Sequence, residues 1–98
     1  MNKEESLYSQ FNCQYVKLNN EYFVQQSHAI TFIELLFENN VKILGIDGFD
    51  INQNTIKPNI KVISDWSDDS MGESIKKSKK FISENNNLVS HFNFTLDI

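Results

Sequence analysis

The sequence predicts an α+β domain: a small, mainly antiparallel sheet with two principal helices packed on it. Three observations carry this. Residues 91–97 alternate strictly, with Phe92, Phe94 and Leu96 on one side and His91, Asn93, Thr95 and Asp97 on the other. That is the period of a strand with one buried and one wet face. Residues 28–39 and 71–84 instead place apolar side chains three and four apart, the period of a helix with one buried stripe. Short aromatic and β-branched runs separated by Asn pairs supply further strands and their turns. With 98 residues the chain reads as a single domain, 1–98. Its 40% hydrophobic and 22% charged content is that of a globular protein, not a disordered tail.

Near the start, two readings compete. Residues 14–18 and 21–25 flank Asn19-Asn20 and read as a hairpin, while Leu7, Phe11 and Tyr15 fall at helical spacing across 5–16. Ser27 is placed to cap a helix from His28, whose stripe is Ala29, Ile30, Phe32, Ile33, Leu36 and Phe37. Asn39-Asn40 ends it. Val41 to Ile46 is a short apolar strand, and Asp47-Gly48 a turn or bulge. Phe49–Ile51 and Thr55-Ile56 form a small hairpin around Asn52-Gln53-Asn54, and Pro58 forbids a central ladder bond at its own position. Residues 59–69 fit a strand or a helical turn. Ser70 with Glu73 is a capping box, and Met71, Ile75, Ser78 and Ile82 follow on one helical face until Asn85-Asn86-Asn87.

Charge narrows the classes of function. The net charge is −4, and all nine basic residues are Lys. Without the bidentate fork of Arg, an acidic chain is a poor nucleic-acid binder. The charge is uneven. Lys57 and Lys61 stand against Asp47, Asp50, Asp65, Asp68, Asp69 and Glu73, which leaves residues 47–73 at −4. Residues 74–98, with Lys76, Lys77, Lys79 and Lys80 against Glu84 and Asp97, carry +2. These lysines read as the wet side of a helix. No apolar run approaches the ~20 residues of a membrane helix and no secretory leader opens the chain, so a soluble cytoplasmic protein is expected. The lone Cys13 forms no intramolecular disulfide, which fits a reducing compartment, and reads as a small half-buried residue.

No motif announces a reaction, a cofactor or a metal. Gly45-Ile46-Asp47-Gly48 lacks the spacing of a phosphate loop. Asp65, Asp68 and Asp69 lack the calcium-loop pattern, and His28 and His91 lie too far apart for a zinc signature. Asp68 and Asp69 suit the positive end of the following helix. Asp47, Asp50 and Asp65 could serve as general acid and base, but no spacing pairs them. Trp66, alone among Ser64, Asp65, Ser67, Asp68 and Asp69, is either a core anchor under a loop or an exposed binding hot spot, and Phe49 is equally open.

One resemblance adds to this reading. The chain runs Ile43-Leu44-Gly45-Ile46-Asp47-Gly48-Phe49-Asp50-Ile51, then Ile56-Lys57-Pro58, then Ile63-Ser64-Asp65-Trp66-Ser67. This pattern, with the Ile-, Phe- and Leu-rich helix upstream, resembles bacterial immunity proteins of polymorphic-toxin and contact-dependent-inhibition systems, in particular the immunity protein 40 type. It spans about half the chain. The resemblance implies a cytoplasmic, non-enzymatic antidote that binds a cognate toxin domain, many of which are nucleases with basic clefts. An acidic inhibitor is drawn quickly to such a cleft. The expected partner-binding residues are then Asp47, Phe49, Asp50, Asp65, Trp66, Asp68 and Asp69. A second reading is a small cytoplasmic regulatory or adaptor domain, dimeric through an exposed sheet edge. A third is an enzyme built on the carboxylates, which requires a deep pocket holding two of them.

Overall fold

A computed structural model describes residues 3–11, 15–53 and 55–98. Cys13 and Asn54 therefore lie outside the described residues. The chain folds as an α+β domain in the order α1 (Lys3–Phe11), β1 (Tyr15–Leu18), β2 (Glu21–Gln25), α2 (Ala29–Glu38), β3 (Lys42–Asn52), β4 (Thr55–Asp65), α3 (Met71–Asn85) and β5 (His91–Asp97). The five strands form one sheet in the order β1-β2-β5-β3-β4, antiparallel throughout.

Both competing readings of the first 25 residues hold in part. A helix occupies Lys3–Phe11, and a hairpin starts at Tyr15. Asn19 and Asn20 both take positive φ, 53° and 65°, which a two-residue hairpin turn demands and Asn tolerates. Helix α2 departs from expectation at its start. Ser27 makes no capping bond; it sits inside a single 3-10 turn, Gln26–His28, and His28 occupies the cap position without a side-chain bond. Asn40 closes α2 with φ 58°. At α3 the capping box forms, and Ser70 Oγ accepts the Glu73 N–H at 3.3 Å.

The hairpin expected around residues 52–54 forms, with Ile51 opposite Ile56 and Asn52 opposite Thr55, but its arms are two eleven-residue strands and the chain does not turn at Asp47-Gly48. The residues that look like breaks are bulges inside them. Along β5, Ile43 pairs with Leu96 and Gly45 with Thr95, so Leu44 is an extra residue. Along β4, Asp47 pairs with Ile63 and Phe49 with Pro58, so Gly48 alone faces four residues, 59–62. Val62 returns from this wide bulge into the core. It fills the space over Gly48, where a Cβ would stand 2.5 Å from Val62 Cγ1.

All three helices pack on one face of the sheet. Tyr8 of α1 stacks on Tyr22 of β2 (4.4 Å between ring centres) and on Phe32 of α2 (4.8 Å). Phe32 meets Phe94 edge-on, and Ile33, Leu36, Ile75 and Ile82 complete the layer over Val24, Ile43, Ile46 and Phe92. The carbonyl of Ile43, freed by the Leu44 bulge, accepts the hydroxyl of the fully buried Ser74 on α3.

Candidate docking face

The register places a second set of side chains on the opposite side of the sheet. Val16 pairs with Phe23, Phe49 with His91 and Pro58, Asp47 with Asn93 and Ile63, Gly45 with Thr95, and Ile51 with Ile56. No described helix covers this side. It is nonetheless largely apolar. Phe23 is fully buried yet stands outside the main core cluster, because the ring of Phe49 closes on it edge-to-face across β5, 5.1 Å between centres. His91 lies in this small layer, 8% exposed. Its Nδ1 is 2.8 Å from Ser90 Oγ and its Nε2 is buried without a described partner. Burial holds its pKa below the usual imidazole range, against a weaker pull from Asp50. Ile63 is 59% exposed and marks the open end of the apolar strip.

Beside Ile63 the face dips into a depression of about 390 Å³. Its lining combines the apolar Leu44 and Ile63, the small or hydroxyl-bearing Gly45, Ser64, Ser67 and Thr95, and the acidic Asp47 and Asp65. Gly45 is required here, since a Cβ would lie 2.6 Å from the Ser64 carbonyl oxygen. Asp47 is held above the usual carboxylate range, first by burial and then by the charge of Glu21. Asp65 is held below it, because its Oδ1 accepts the Ser67 N–H at 2.9 Å. Among the described residues the salt bridges are Lys17–Glu5 and Lys77–Asp69, so neither carboxylate of the depression has a cation. The nearby Lys42 ammonium donates to the Ser67 carbonyl at 2.9 Å.

Of the seven expected partner-binding residues, the structure brings Asp47, Phe49 and Asp65 to this face. The other four lie off it, although Trp66, Asp68 and Asp69 line a neighbouring depression together with Asp65 and Lys77. Asp50 sits towards the opposite end of β3, where its Oδ1 accepts the Ser90 N–H at 3.1 Å. Trp66 lies on the helix side, half-buried and edge-on to Phe81 at 5.6 Å. Its backbone N–H donates to the Leu44 carbonyl at 2.7 Å, and its ring packs against the core, which ties the β4–α3 connection to the sheet. Asp69 pairs with Lys77 at 2.9 Å, and Asp68 lies beside it in the same loop. Among these acidic residues the fold thus keeps Asp65 beside Asp47 on one side and beside Asp68 and Asp69 on the other, and separates Asp50 from them.

The face also uses residues the sequence did not single out: Leu44, Gly45, Ile63, Thr95 and Glu21. Thr95 was legible on the wet side of β5. The others depend on strand register, which one sequence does not reveal.

Ser90, His91 and Asp50 are close, but the carboxylate accepts from the Ser90 backbone and Ser90 Oγ accepts the Ile51 N–H at 2.9 Å. A nucleophile triad needs the carboxylate on the imidazole; here the three residues tie the end of β3 to the start of β5. Among the described residues no group of three or more His, Cys, Asp or Glu converges to hold a metal ion. Nor is any helix long and apolar enough to cross a membrane. No protein-family model, curated protein or solved structure matches the chain.

Proposed function

We propose that this chain is an immunity protein: a non-enzymatic antidote that neutralises a cognate bacterial toxin domain by stoichiometric binding in the cytoplasm. One observation carries the reading, the uncovered apolar side of the sheet. A domain of this size has three helices and places all of them on one face. The other face keeps Phe49, Ile51, Ile56 and Ile63 with no layer over them. Contiguous apolar surface left open on a small domain marks a protein-interaction site. The resemblance of residues 43–67 to immunity proteins and the net charge of −4 favour a toxin domain as its partner, a nuclease with a basic cleft being the first to try.

The test is co-expression with the toxin domain encoded beside this chain. Rescue of growth, with a one-to-one complex on size-exclusion chromatography, is the expected result. Normal toxicity in the presence of the folded chain overturns the reading. The regulatory or adaptor alternative, a homodimer, draws on the same open face. The sheet edges are guarded: β1 has only four residues, and β4 is broken by Pro58 and the bulge at 59–62 and carries Lys57 and Lys61. Face-to-face stacking would bring like-charged Asp47 and Asp65 of two copies together. A mass that doubles with concentration, in the absence of toxin binding, would favour it.

A further inference from the structure

Resting on the docking role of the open face, we infer that the depression between Leu44, Ile63, Asp47 and Asp65 receives one lysine or arginine side chain projecting from a protein partner. Its shape and its charge point to the same occupant. A lysine or arginine has an aliphatic stem and a cationic head, and buries the first while satisfying the second. The lining of the depression offers both. Leu44 and Ile63 are apolar, Gly45 and Thr95 are small, and Asp47 and Asp65 form no salt bridge among the described residues. Glu21 adds a third negative charge towards Asp47. Lys42 is held at the edge of the depression, where its ammonium donates to the carbonyl of the lining residue Ser67, and it forms no salt bridge with Asp47 or Asp65. The apolar strip begins at Ile63 and continues to Phe49, so a partner segment with an apolar residue beside its basic one reaches both. The loop at Asp68 and Asp69 offers no such site, since Lys77 already pairs with Asp69.

The test is an NMR titration of the isotope-labelled chain with acetyl-Leu-Arg-Leu-amide, and with the same peptide carrying citrulline in place of arginine. Citrulline keeps the shape and removes the charge. Saturable shifts at Leu44, Gly45, Asp47, Ile63 and Thr95 with the arginine peptide alone are expected. Asp47→Asn with Asp65→Asn should weaken that binding about tenfold, the scale of an interfacial charge pair. Thr95→Lys provides a second variant that keeps both carboxylates. It places the chain's own ammonium at the depression and should abolish the shifts. Equal response to both peptides, no saturable response, or shifts centred on Asp68 and Asp69 would overturn the inference.

The two proposals fail separately. A toxin complex that forms with unchanged Kd in the Asp47→Asn, Asp65→Asn chain leaves the antidote role standing and removes the arginine or lysine socket. Peptide binding at the depression without rescue from the toxin does the reverse.

Discussion

Gly48 is where one missing methyl decides the local path of the chain. It faces four residues of β4, and Val62 sits where its Cβ would be, with Val89 Cγ1 at 3.0 Å on the other side. Both neighbours are buried core residues. Gly48→Ala is therefore expected to destabilise the fold by about 1–3 kcal/mol through overpacking, read as a lower urea midpoint. Asp47, one residue earlier, behaves in the opposite sense. Burial and Glu21 raise its pKa, so the native state holds the proton more tightly than the unfolded chain. Its contribution to stability is fully present below the unfolded value of 3.8 and is lost as pH rises through the raised native value. Asp47→Asn should thus raise the melting temperature at neutral pH, by a stability gain within about 1 kcal/mol for so exposed a group. The gain should vanish as pH approaches 3.8, and the same variant should bind its partner less well. A residue that costs stability and serves docking shows the usual tension between the two.

At the scale of elements, periodicity carried the reading furthest where an element has one uninterrupted face. The stripe of α2, the capping box of α3 and the alternation of β5 were all legible, and each begins or ends within a few residues of its expected bounds. Strands β3 and β4 were legible only in pieces, at 41–46, 49–51 and 55–56, because Asp47-Gly48 carries the chemistry of a turn; the reading of Pro58 as barred from a central strand holds, since β4 lies at the edge. Only the partner strand tells whether such residues reverse the chain or bulge it. The bulge at Leu44 leaves the Ile43 carbonyl to Ser74, a bond joining α3 to the sheet. Ser74→Ala should cost about 1–3 kcal/mol, since the acceptor is buried and has lost its partner. A matched loss in chemical denaturation, with the slope unchanged, would check it. Trp66 was undecidable from sequence for a related reason. Its polar neighbours Asp65, Ser67 and Asp68 describe a loop, whereas its contact with Phe81 depends on where α3 returns.

For the whole molecule, the acidic character of residues 47–73 is concentrated around Asp65, which adjoins Asp47 on one side and Asp68 and Asp69 on the other. Asp65 lies at the docking face, while Asp68 and Asp69 sit in the loop beyond it. Reversing all three to Lys should lower the association rate with a basic toxin domain about tenfold or more at low salt, and flatten its salt dependence. Replacing only Asp68 and Asp69 should alter the rate of association more than that of dissociation, which stopped-flow mixing resolves. The sequence made the sign and amount of this charge plain. It could not show that the fold sends Asp50 to one end of the sheet and Asp65 to the other.

Strand order has a consequence in time. β5 is made after every other strand, yet it lies between β2 and β3. Until it emerges during synthesis, the β1–β2 and β3–β4 hairpins are separate ribbons with no ladder between them. Each is marginal alone, as two-stranded ribbons in water are. The nascent chain therefore waits with Phe23 and Phe49 apart. The Phe23–Phe49 contact spans β5, so this side of the sheet is complete only once β5 is in place between the two ribbons.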